Sequence, residues 1–265
     1  MSAHEPGRLE ARLRERRDAG RKLLVPYVTG GLGDDWVPAL EAIAAAGADA
    51  IEIGLPFSDP MMDGPTIQEA SVRALAAGAT PQTILGELVE ADAGGVPLVV
   101  MTYYNLVARM GHRRMASLLV ESGVSGAILP DLPIDEIDPW KTEADATGIE
   151  TVLLAAPTTP DARLRAIVGK AEGFLYAVGV MGVTGERSSL AASATAIAAR
   201  CKAITDLPVL VGIGITTPDQ AAEVCQVADG VVIGSVVVRR LLDGEGPDGV
   251  AKLVASFREA LDSHS

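Results

Sequence analysis

Apolar, β-branched segments recur along the whole chain and alternate with segments of helical pattern, roughly one strand–helix unit apart. They predict eight strands, at Leu23–Val28, Ala48–Gly54, Pro97–Tyr103, Gly126–Leu129, Glu150–Ala155, Gly173–Val178, Pro208–Ile213 and Gly230–Gly234. Because these segments are almost continuously apolar, both faces of the sheet should be covered. Eight such units without a long polar linker favour an α/β fold, a closed (β/α)8 or TIM barrel, over an open doubly wound sheet.

Threonine–proline pairs mark the starts of several helices, because the hydroxyl can cap a helix and proline suits its first position. The pairs are Thr80-Pro81, Thr159-Pro160 and Thr217-Pro218. The first pair divides the wide gap between the second and third strands into two helices. Gln220 gives the third pair the spacing of a capping box.

Before the first strand, Arg8–Arg17 has the pattern of an amphipathic helix with Leu9 and Leu13 facing inward. Acidic residues lie among its arginines, so a solvated helix face is favoured over a nucleic-acid surface. We therefore expect a single barrel domain over residues 1–265. The N-terminal helix, within residues 1–20, should cap the barrel, and one extra helix should lie between strands 2 and 3.

The composition narrows the range of partners. Hydrophobic residues make up 48% of the 265 residues and aromatic residues only 3%, which suits a core of small aliphatic side chains. The formal net charge of −13 weighs against nucleic acid and anionic membranes, although backbone N–H groups can still bind an anion locally. Cys201 and Cys225 fit core positions better than a disulfide or a metal site. Without a signal segment or a membrane-length apolar run in the sequence, we expect a cytoplasmic protein.

In such barrels the active site lies at the C-terminal ends of the strands. No lysine lies at such an end, which disfavours Schiff-base chemistry. The histidines lie near the termini or in a helix, which disfavours a histidine base or a metal site. The remaining side chains are acidic or hydroxylic: Glu52, Asp63, Asp131, Tyr27, Tyr103, Tyr176 and Thr184. They indicate carboxylate acid–base chemistry without a metal or an imine.

Glu52 interrupts the apolar second strand, so it faces the barrel interior only if Ile51 and Ile53 pack outward under the helices. Apolar surroundings raise the pKa of a carboxyl group, which would let Glu52 act as a general acid. Asp63 ends a proline- and glycine-rich loop just before a predicted helix, where it should stay ionised. The alternatives are a structural ion pair with an arginine for Glu52 and, for Asp63, a place beside a helix dipole.

Glycine-rich turns follow the last three predicted strands: Gly182-Val183-Thr184-Gly185, Gly212-Ile213-Gly214 and Gly234-Ser235. Backbone N–H groups in such turns, together with helix N-termini, can converge on a phosphate. Barrels of this class commonly bind phosphate after strands seven and eight. The sequence therefore predicts a phosphate site here, with Arg187 as the one basic side chain close by.

Six motifs together carry a resemblance to a known family. They are IEIGLPFSDPMMDGPTIQ (Ile51–Gln68), PYVTGG (Pro26–Gly31), LPDLP (Leu129–Pro133), GVTG (Gly182–Gly185), VGIGI (Val211–Ile215) and IGS (Ile233–Ser235). In their order and spacing they strongly resemble the tryptophan synthase alpha chain, from about Arg21 to the end. The first motif is highly specific, whereas the glycine motifs are shared with other phosphate-binding barrels.

The resemblance implies a lyase that cleaves indole-3-glycerol phosphate to indole and glyceraldehyde 3-phosphate by a retro-aldol reaction, in tryptophan biosynthesis. It implies that Glu52 protonates the indole ring at C3 and later removes the glycerol hydroxyl proton. Asp63 would contact the indole N–H and stabilise positive charge. By the same resemblance the substrate would be bound by Tyr27, Ile67, Tyr103, Asp131, Tyr176 and Thr184, and its phosphate by Gly185, Gly214, Gly234 and Ser235.

The resemblance also implies a partner, a pyridoxal-phosphate beta chain in an α2β2 heterotetramer, with no cofactor or metal in this chain. The loop Pro56–Met62 suits that interface because Phe57, Met61 and Met62 are apolar, and Asp59 would be its polar contact. Alternatively, these side chains fold back over the barrel mouth. If the loop is the interface, partner binding would directly position the neighbouring aspartate, Asp63.

Two other kinds of protein have to be weighed. Another phosphate-binding barrel enzyme could be indoleglycerol-phosphate synthase, which needs a lysine that is absent from the strand ends here, or a sugar-phosphate isomerase. A non-catalytic subunit that only activates a partner would not need both carboxylates and the glycine turns. The loops at Val180-Met181 and Gly30–Gly33 depart from the best-known family members, but neither departure involves the two carboxylates.

Overall fold

The computed structural model describes residues 5–179, 187–212 and 214–263 of the chain. Its eight parallel strands close into a barrel, in which each strand pairs with the next and the last returns to the first. The strands are β1 Leu23–Thr29, β2 Ile51–Gly54, β3 Leu98–Met101, β4 Val124–Ile128, β5 Glu150–Ala155, β6 Leu175–Val178, β7 Val209–Gly212 and β8 Gly230–Ile233. The predicted (β/α)8 barrel is confirmed.

The strands lie where the sequence predicts them, but several have different ends. β2 begins at Ile51 rather than Ala48, because the residues between them form the turn that enters the strand. β3 ends at Met101 rather than at Tyr103, since Tyr103 is the N-cap of the next helix. Tyr103 therefore lies at a loop-to-helix junction, where its side chain can reach the loop that follows β2, Pro56–Met62 (the β2 loop).

Twelve α-helices occur in the described residues: α1 Arg8–Asp18, α2 Trp36–Ala45, α3 Pro65–Ala76, α4 Pro81–Leu88, α5 Tyr104–Met110, α6 His112–Glu121, α7 Asp138–Thr147, α8 Asp161–Val168, α9 Arg187–Lys202, α10 Pro218–Val224, α11 Ser235–Leu242 and α12 Gly246–Ser263. The predicted N-terminal helix and the predicted pair between β2 and β3 are present. The pairs α5–α6 and α11–α12 were not predicted. In the first pair, Gly111 at φ 92° separates two helices that would otherwise be continuous.

Two of the three predicted threonine caps are confirmed, since Thr80 and Thr217 each form a complete capping box. The prediction for Thr159 was wrong. The N-cap of α8 is Pro160, and its side chain makes no cap hydrogen bond. The Thr159 hydroxyl instead accepts a hydrogen bond from the Ala156 N–H at 3.0 Å, which closes a turn before the helix.

The barrel wall separates two hydrophobic layers. Ile51 and Ile53 belong to the outer layer, between the strands and the surrounding helices. Leu9 and Leu13 of α1 lie in the inner layer, within the barrel, and neither has exposed surface. α1 also contacts Glu150, the first residue of β5, so it lies at the N-terminal end of the barrel. The C-terminal end of the barrel is left for a site.

Cys201 and Cys225 are buried free thiols, as predicted for core positions. Within the described ranges, no helix is long and apolar enough to cross a membrane. Nor do three or more His, Cys, Asp or Glu side chains of those ranges come together in a way that could hold a metal ion.

Candidate active site

A cavity of about 180 Å³ opens at the C-terminal end of the barrel. Each of the eight strands, or the loop or helix that follows it, contributes to the lining: Tyr27, Glu52, Met62, Asp63, Gly64, Ile67, Met101, Ile128, Leu154, Tyr176, Val178, Gly214, Ile215, Val232, Gly234 and Ser235. The wall is mostly apolar, with the two predicted catalytic carboxylates on it. No lysine or arginine of the described residues is part of this lining.

Glu52 is only 1% exposed, and its Oε2 atom has no hydrogen-bond partner in the described part of the chain. Glu52 faces the cavity because side chains alternate between the two faces of β2, and Ile51 and Ile53 pack on the opposite face under the helices. No ion pair of Glu52 with an arginine occurs among the described residues, so the structural alternative receives no support. Burial raises the pKa of Glu52 to about 8, and the nearby negative charge of Asp63 adds to this effect.

Asp63 lies just before α3 and is half-buried. The Tyr103 hydroxyl donates a hydrogen bond to Asp63 Oδ2 at 3.1 Å and accepts one from the Met62 N–H at 2.9 Å. Burial raises the pKa of Asp63 above its ordinary value, while the hydrogen bond from Tyr103 opposes that rise. Burial also raises the pKa of Tyr103 to about 12, so this phenol keeps the proton that it donates.

Tyr27 and Tyr176 are buried phenols of the cavity wall, and each lies directly over a glycine of a neighbouring strand. A Cβ atom at Gly54 would lie 1.8 Å from the Tyr27 hydroxyl oxygen. A Cβ atom at Gly212 would lie 2.2 Å from the Tyr176 hydroxyl oxygen. No local sequence pattern marks Gly54 for a role, and Gly212 stands out in the sequence only as part of a predicted phosphate turn. Both glycines are required so that the two rings can lie against the wall.

The predicted phosphate residues that the structure describes lie together at one side of the cavity. Gly214, Gly234 and Ser235 all line it, and Gly234 is the N-cap of α11. The first N–H groups of a helix have no intrahelical acceptor, so the start of α11 presents donors and a positive dipole end to this side. Thr184 and Gly185 lie outside the described residues, as does the predicted end of β7, Ile213.

Two of the predicted substrate-binding residues have different positions. Ile67, on the first turn of α3, lines the cavity. Asp131 does not line it; its Oδ1 accepts a hydrogen bond from the Tyr104 N–H at 2.8 Å and so holds the start of α5. Sequence reasoning also missed the apolar lining residues Met101, Ile128, Leu154, Val178, Ile215 and Val232. Most of them are inward positions at strand ends, which the strand alternation could have identified once the barrel was assumed.

The loop Pro56–Met62 divides into buried and exposed parts. Pro56 is buried, contrary to its predicted place on a partner surface, because the chain leaves β2 beneath the rest of the loop. The Phe57 ring stacks on the Tyr103 ring, with centroids 4.9 Å apart, and Met62 lines the cavity. Met61 is 78% exposed, and Asp59 is exposed as well. Part of the loop thus folds over the barrel mouth, and part faces solvent.

The arrangement can move a proton at the two carboxyl groups and bind an anion at the start of α11, all on the wall of one cavity. Glu52 has a proton to give near neutral pH, and once ionised in apolar surroundings it is a strong base. Asp63 can carry a negative charge beside it. An apolar wall between the carboxylates and the start of α11 would suit a flat, apolar group that carries a phosphate.

Comparisons with known proteins agree with this chemistry. A family model described as tryptophan synthase alpha chain matches residues 13–263. The tryptophan synthase alpha chain of Streptomyces coelicolor is 42% identical over 252 residues, which cover 92% of this chain and 93% of that protein. The alpha chain of Thermobifida fusca is 42% identical over 259 residues and covers 96% of each chain.

Solved structures give the same result. Tryptophan synthase from M. tuberculosis, in its aminoacrylate- and BRD0059-bound form, contains a chain that superimposes with a TM-score of 0.88 at 34% identity. That match covers 97% of this chain and 99% of the other. Tryptophan synthase subunit alpha from Legionella pneumophila matches with a TM-score of 0.87 at 32% identity, over 98% of this chain and 100% of the other.

Proposed function

The chain belongs to the tryptophan synthase alpha chain family, which cleaves indole-3-glycerol phosphate to indole and glyceraldehyde 3-phosphate, and from this premise we propose that Glu52 and Asp63 carry out its acid–base chemistry. The observation that carries the assignment is the state of Glu52. It is a buried carboxyl group on the wall of the cavity, its Oε2 atom has no hydrogen-bond partner among the described residues, its pKa is about 8, and Asp63 lies on the same wall.

The first step is protonation of the indole ring. Glu52 donates its proton to C3 of the indole, and the ring takes up a positive charge that is shared with its nitrogen. Asp63, as a carboxylate, accepts a hydrogen bond from the indole N–H and stabilises that charge. A protonated glutamic acid is the main form below pH 8, so the donor is ready at neutral pH.

The second step breaks the carbon–carbon bond. The ionised Glu52 removes the proton from the hydroxyl group on the glycerol carbon attached to C3. The electron pair of that O–H bond forms the carbonyl of glyceraldehyde 3-phosphate, and the carbon–carbon bond pair returns to the indole ring. One proton is given and one is recovered, so Glu52 ends in its starting state. The scheme uses no cofactor in this chain.

The rest of the cavity would hold the substrate in place for these steps. Tyr27, Tyr176, Ile67 and the apolar strand-end residues would enclose the indole and glycerol parts. The phosphate would lie at the start of α11, against the N–H groups that follow Gly234 and beside Gly214. Thr184 and Gly185 remain proposed substrate and phosphate residues from the sequence resemblance.

We also propose that the chain works with a pyridoxal-phosphate beta chain in an α2β2 complex. The support is the family and the exposed apolar part of the β2 loop, above all Met61. The cofactor would belong to the partner. Asp59, exposed on the same loop, would supply a polar contact.

The test is indole release from indole-3-glycerol phosphate by the purified chain, with and without a beta chain. We expect Glu52→Gln and Asp63→Asn each to lower kcat by about 10²-fold or more, because general acid–base groups typically contribute that much. Glu90→Gln, at an exposed position just after α4, should have no effect and serves as the matched control. Full activity of Glu52→Gln would show that the catalytic assignment is wrong.

A further inference from the structure

Tyr27 lies across the cavity wall between the start of α11 and the end of β2. Its strand, β1, pairs with β8 on one side and with β2 on the other. A Cβ atom at Gly234 would lie 3.7 Å from Tyr27 Cβ and 3.9 Å from Cδ1, so the base of the ring is next to the N-cap of α11. A Cβ atom at Gly54 would lie 1.8 Å from the hydroxyl oxygen, so the tip of the ring is over the last residue of β2.

Tyr27 is also the cross-strand neighbour of the proposed acid, Glu52. The two residues are direct partners in the register of β1 and β2, and both line the cavity. Neighbouring strands are about 4.8 Å apart, so the two side chains leave the wall at adjacent points. Glu52 Oε2 has no hydrogen-bond partner among the described residues, so this atom is not bonded to the phenol. A ligand atom that contacts Glu52 therefore lies beside Tyr27.

Tyr27 can donate a hydrogen bond without giving up its proton. Burial raises the pKa of Tyr27 far above its ordinary value, and the nearby Thr29 hydroxyl opposes that rise. The negative charges of Asp63 and Glu52 add to the rise. Tyr27 is only 8% exposed, so water competes little for its hydroxyl group. The phenol is therefore a neutral donor across the whole pH range in which Glu52 changes its protonation state.

The substrate of the proposed function carries hydroxyl groups at the matching place. Its phosphate would lie at the start of α11 and its indole ring at the two carboxyl groups, so the glycerol carbons would span the distance between them. Tyr27 covers that span, from Gly234 to the end of β2. The hydroxyl on the carbon attached to C3 of the indole has to contact Glu52, which removes its proton. That oxygen therefore lies within reach of the Tyr27 hydroxyl.

We propose that Tyr27 is a third catalytic residue, whose hydroxyl donates a hydrogen bond to the oxygen on the glycerol carbon attached to C3. The inference rests on the proposed function, because it takes Glu52 as the base. As Glu52 removes the hydroxyl proton, this oxygen becomes more negative, and a fixed donor stabilises the change. The O–H electron pair then forms the carbonyl, and the carbon–carbon pair returns to the indole ring. Tyr27 keeps its own proton throughout and ends bonded to the carbonyl oxygen.

The test is a cycle between one hydroxyl of the protein and one hydroxyl of the substrate. The two ligands are indole-3-glycerol phosphate and its analogue with hydrogen in place of the hydroxyl on the carbon attached to C3. Calorimetry measures the binding of both to Glu52→Gln, with and without Tyr27→Phe, so that the substrate is not consumed. We expect Tyr27→Phe to weaken binding of the substrate about tenfold, the usual size of a lost hydrogen bond, and to change binding of the analogue less than about twofold.

Kinetics and a matched control separate this role from packing. With Glu52 intact, Tyr27→Phe should lower kcat for indole release by about 10-fold to 100-fold, because the donor acts on charge that develops in the transition state. Tyr104→Phe removes the same atom from a tyrosine that does not line the cavity and whose hydroxyl bonds to His112 at 2.9 Å. This control should leave kcat and both affinities unchanged.

The proposal is overturned if Tyr27→Phe, folded and melting like the wild type, weakens substrate and analogue by the same factor or weakens neither. Either result leaves the proposed function intact as long as Glu52→Gln makes no indole. If instead Glu52→Gln is fully active, the proposed function fails for a reason that does not involve Tyr27. Should Tyr27→Phe fold poorly, Tyr27→Leu, which also lacks the hydroxyl, goes through the same cycle, with the ratio of the two affinities as the readout.

Discussion

The fold buries the Glu52 carboxyl group in surroundings that disfavour its ionised form. It has no ion-pair or hydrogen-bond partner for Oε2 among the described residues, and it is enclosed by apolar wall. An ionised carboxylate in such surroundings would be very costly, so the group keeps its proton instead. The physical cost of its burial and its suitability as a proton donor thus have the same origin.

Glu52→Gln should therefore make the chain more stable at neutral and higher pH. The pKa of Glu52 is about 8 in the folded chain and 4.5 in the unfolded one. Between these values the unfolded chain has released the proton and the folded chain has kept it, so stability falls as pH rises. Below pH 4.5 both states are protonated and the effect disappears. We expect Glu52→Gln to gain about 3 kcal/mol at pH 7 over its value near pH 4.

Urea unfolding of wild type and Glu52→Gln at several pH values between 4 and 9 measures this difference. Glu90→Gln, whose side chain is exposed, should track the wild type throughout. A gap between Glu52→Gln and wild type that stays constant over the whole pH range would contradict a raised pKa for Glu52.

At the scale of elements, α1 is capped by a residue from the other half of the chain. Its N-cap is Gly7, which has no side chain to accept a hydrogen bond. The Glu150 carboxylate, from the start of β5, accepts hydrogen bonds from the N–H groups of Leu9 at 2.7 Å and Glu10 at 2.8 Å. A Cβ atom at Gly7 would lie 2.5 Å from Glu150 Cδ, so the missing side chain makes room for this remote cap.

Glu150→Ala should destabilise the protein by about 2–4 kcal/mol, because it removes a helix cap and leaves two buried N–H groups without an acceptor. Chemical denaturation at pH 7 measures the loss, and Glu90→Ala is the exposed control. Indole release by the fraction that remains folded should be unchanged, since Glu150 lies at the opposite end of the barrel from the cavity. A loss below about 0.5 kcal/mol would contradict the capping role.

For the whole molecule, the two ends of the barrel have different tasks. At the N-terminal end, Leu9 and Leu13 of α1 complete the inner hydrophobic layer, so this end contributes to stability. The C-terminal end carries the cavity, the two carboxylates and the β2 loop with its exposed methionine. In the part of the chain that the structure describes, the cavity and exposed apolar surface occur together at this second end, so a partner that covers it could act on the reaction.

Met61→Asp should weaken binding of the beta chain about tenfold or more, because it puts a charge into an apolar contact. Its activity without the partner should change little, since Met61 does not line the cavity. Val89→Asp is the matched control: Val89 is 62% exposed but follows α4, at the closed end of the barrel. Light scattering and calorimetry measure the affinity. Equal effects of the two substitutions would contradict the proposed interface.

Much of the barrel and part of the site could be predicted from the sequence, for identifiable reasons. Glu52 was recognisable because a charge in an apolar strand breaks a pattern that extends over a few residues. Thr80 and Thr217 were recognisable because a cap and its helix are adjacent in sequence. Thr159 has the same local signature, yet its hydroxyl closes a turn instead, because the chain leaving β5 brings Ala156 within reach.

The sequence by itself determined the eight strands, several helix starts and the strand ends at which chemistry would be found, since these depend on short-range periodicity and capping. Only the tertiary structure decided which distant groups meet. The Tyr103 hydroxyl reaches Asp63, the Tyr27 ring occupies the space over Gly54, and Glu150 caps a helix that begins with Arg8. Those contacts depend on the strand register and on whether each side chain points into or out of the closed barrel, and no local sequence pattern contains that information.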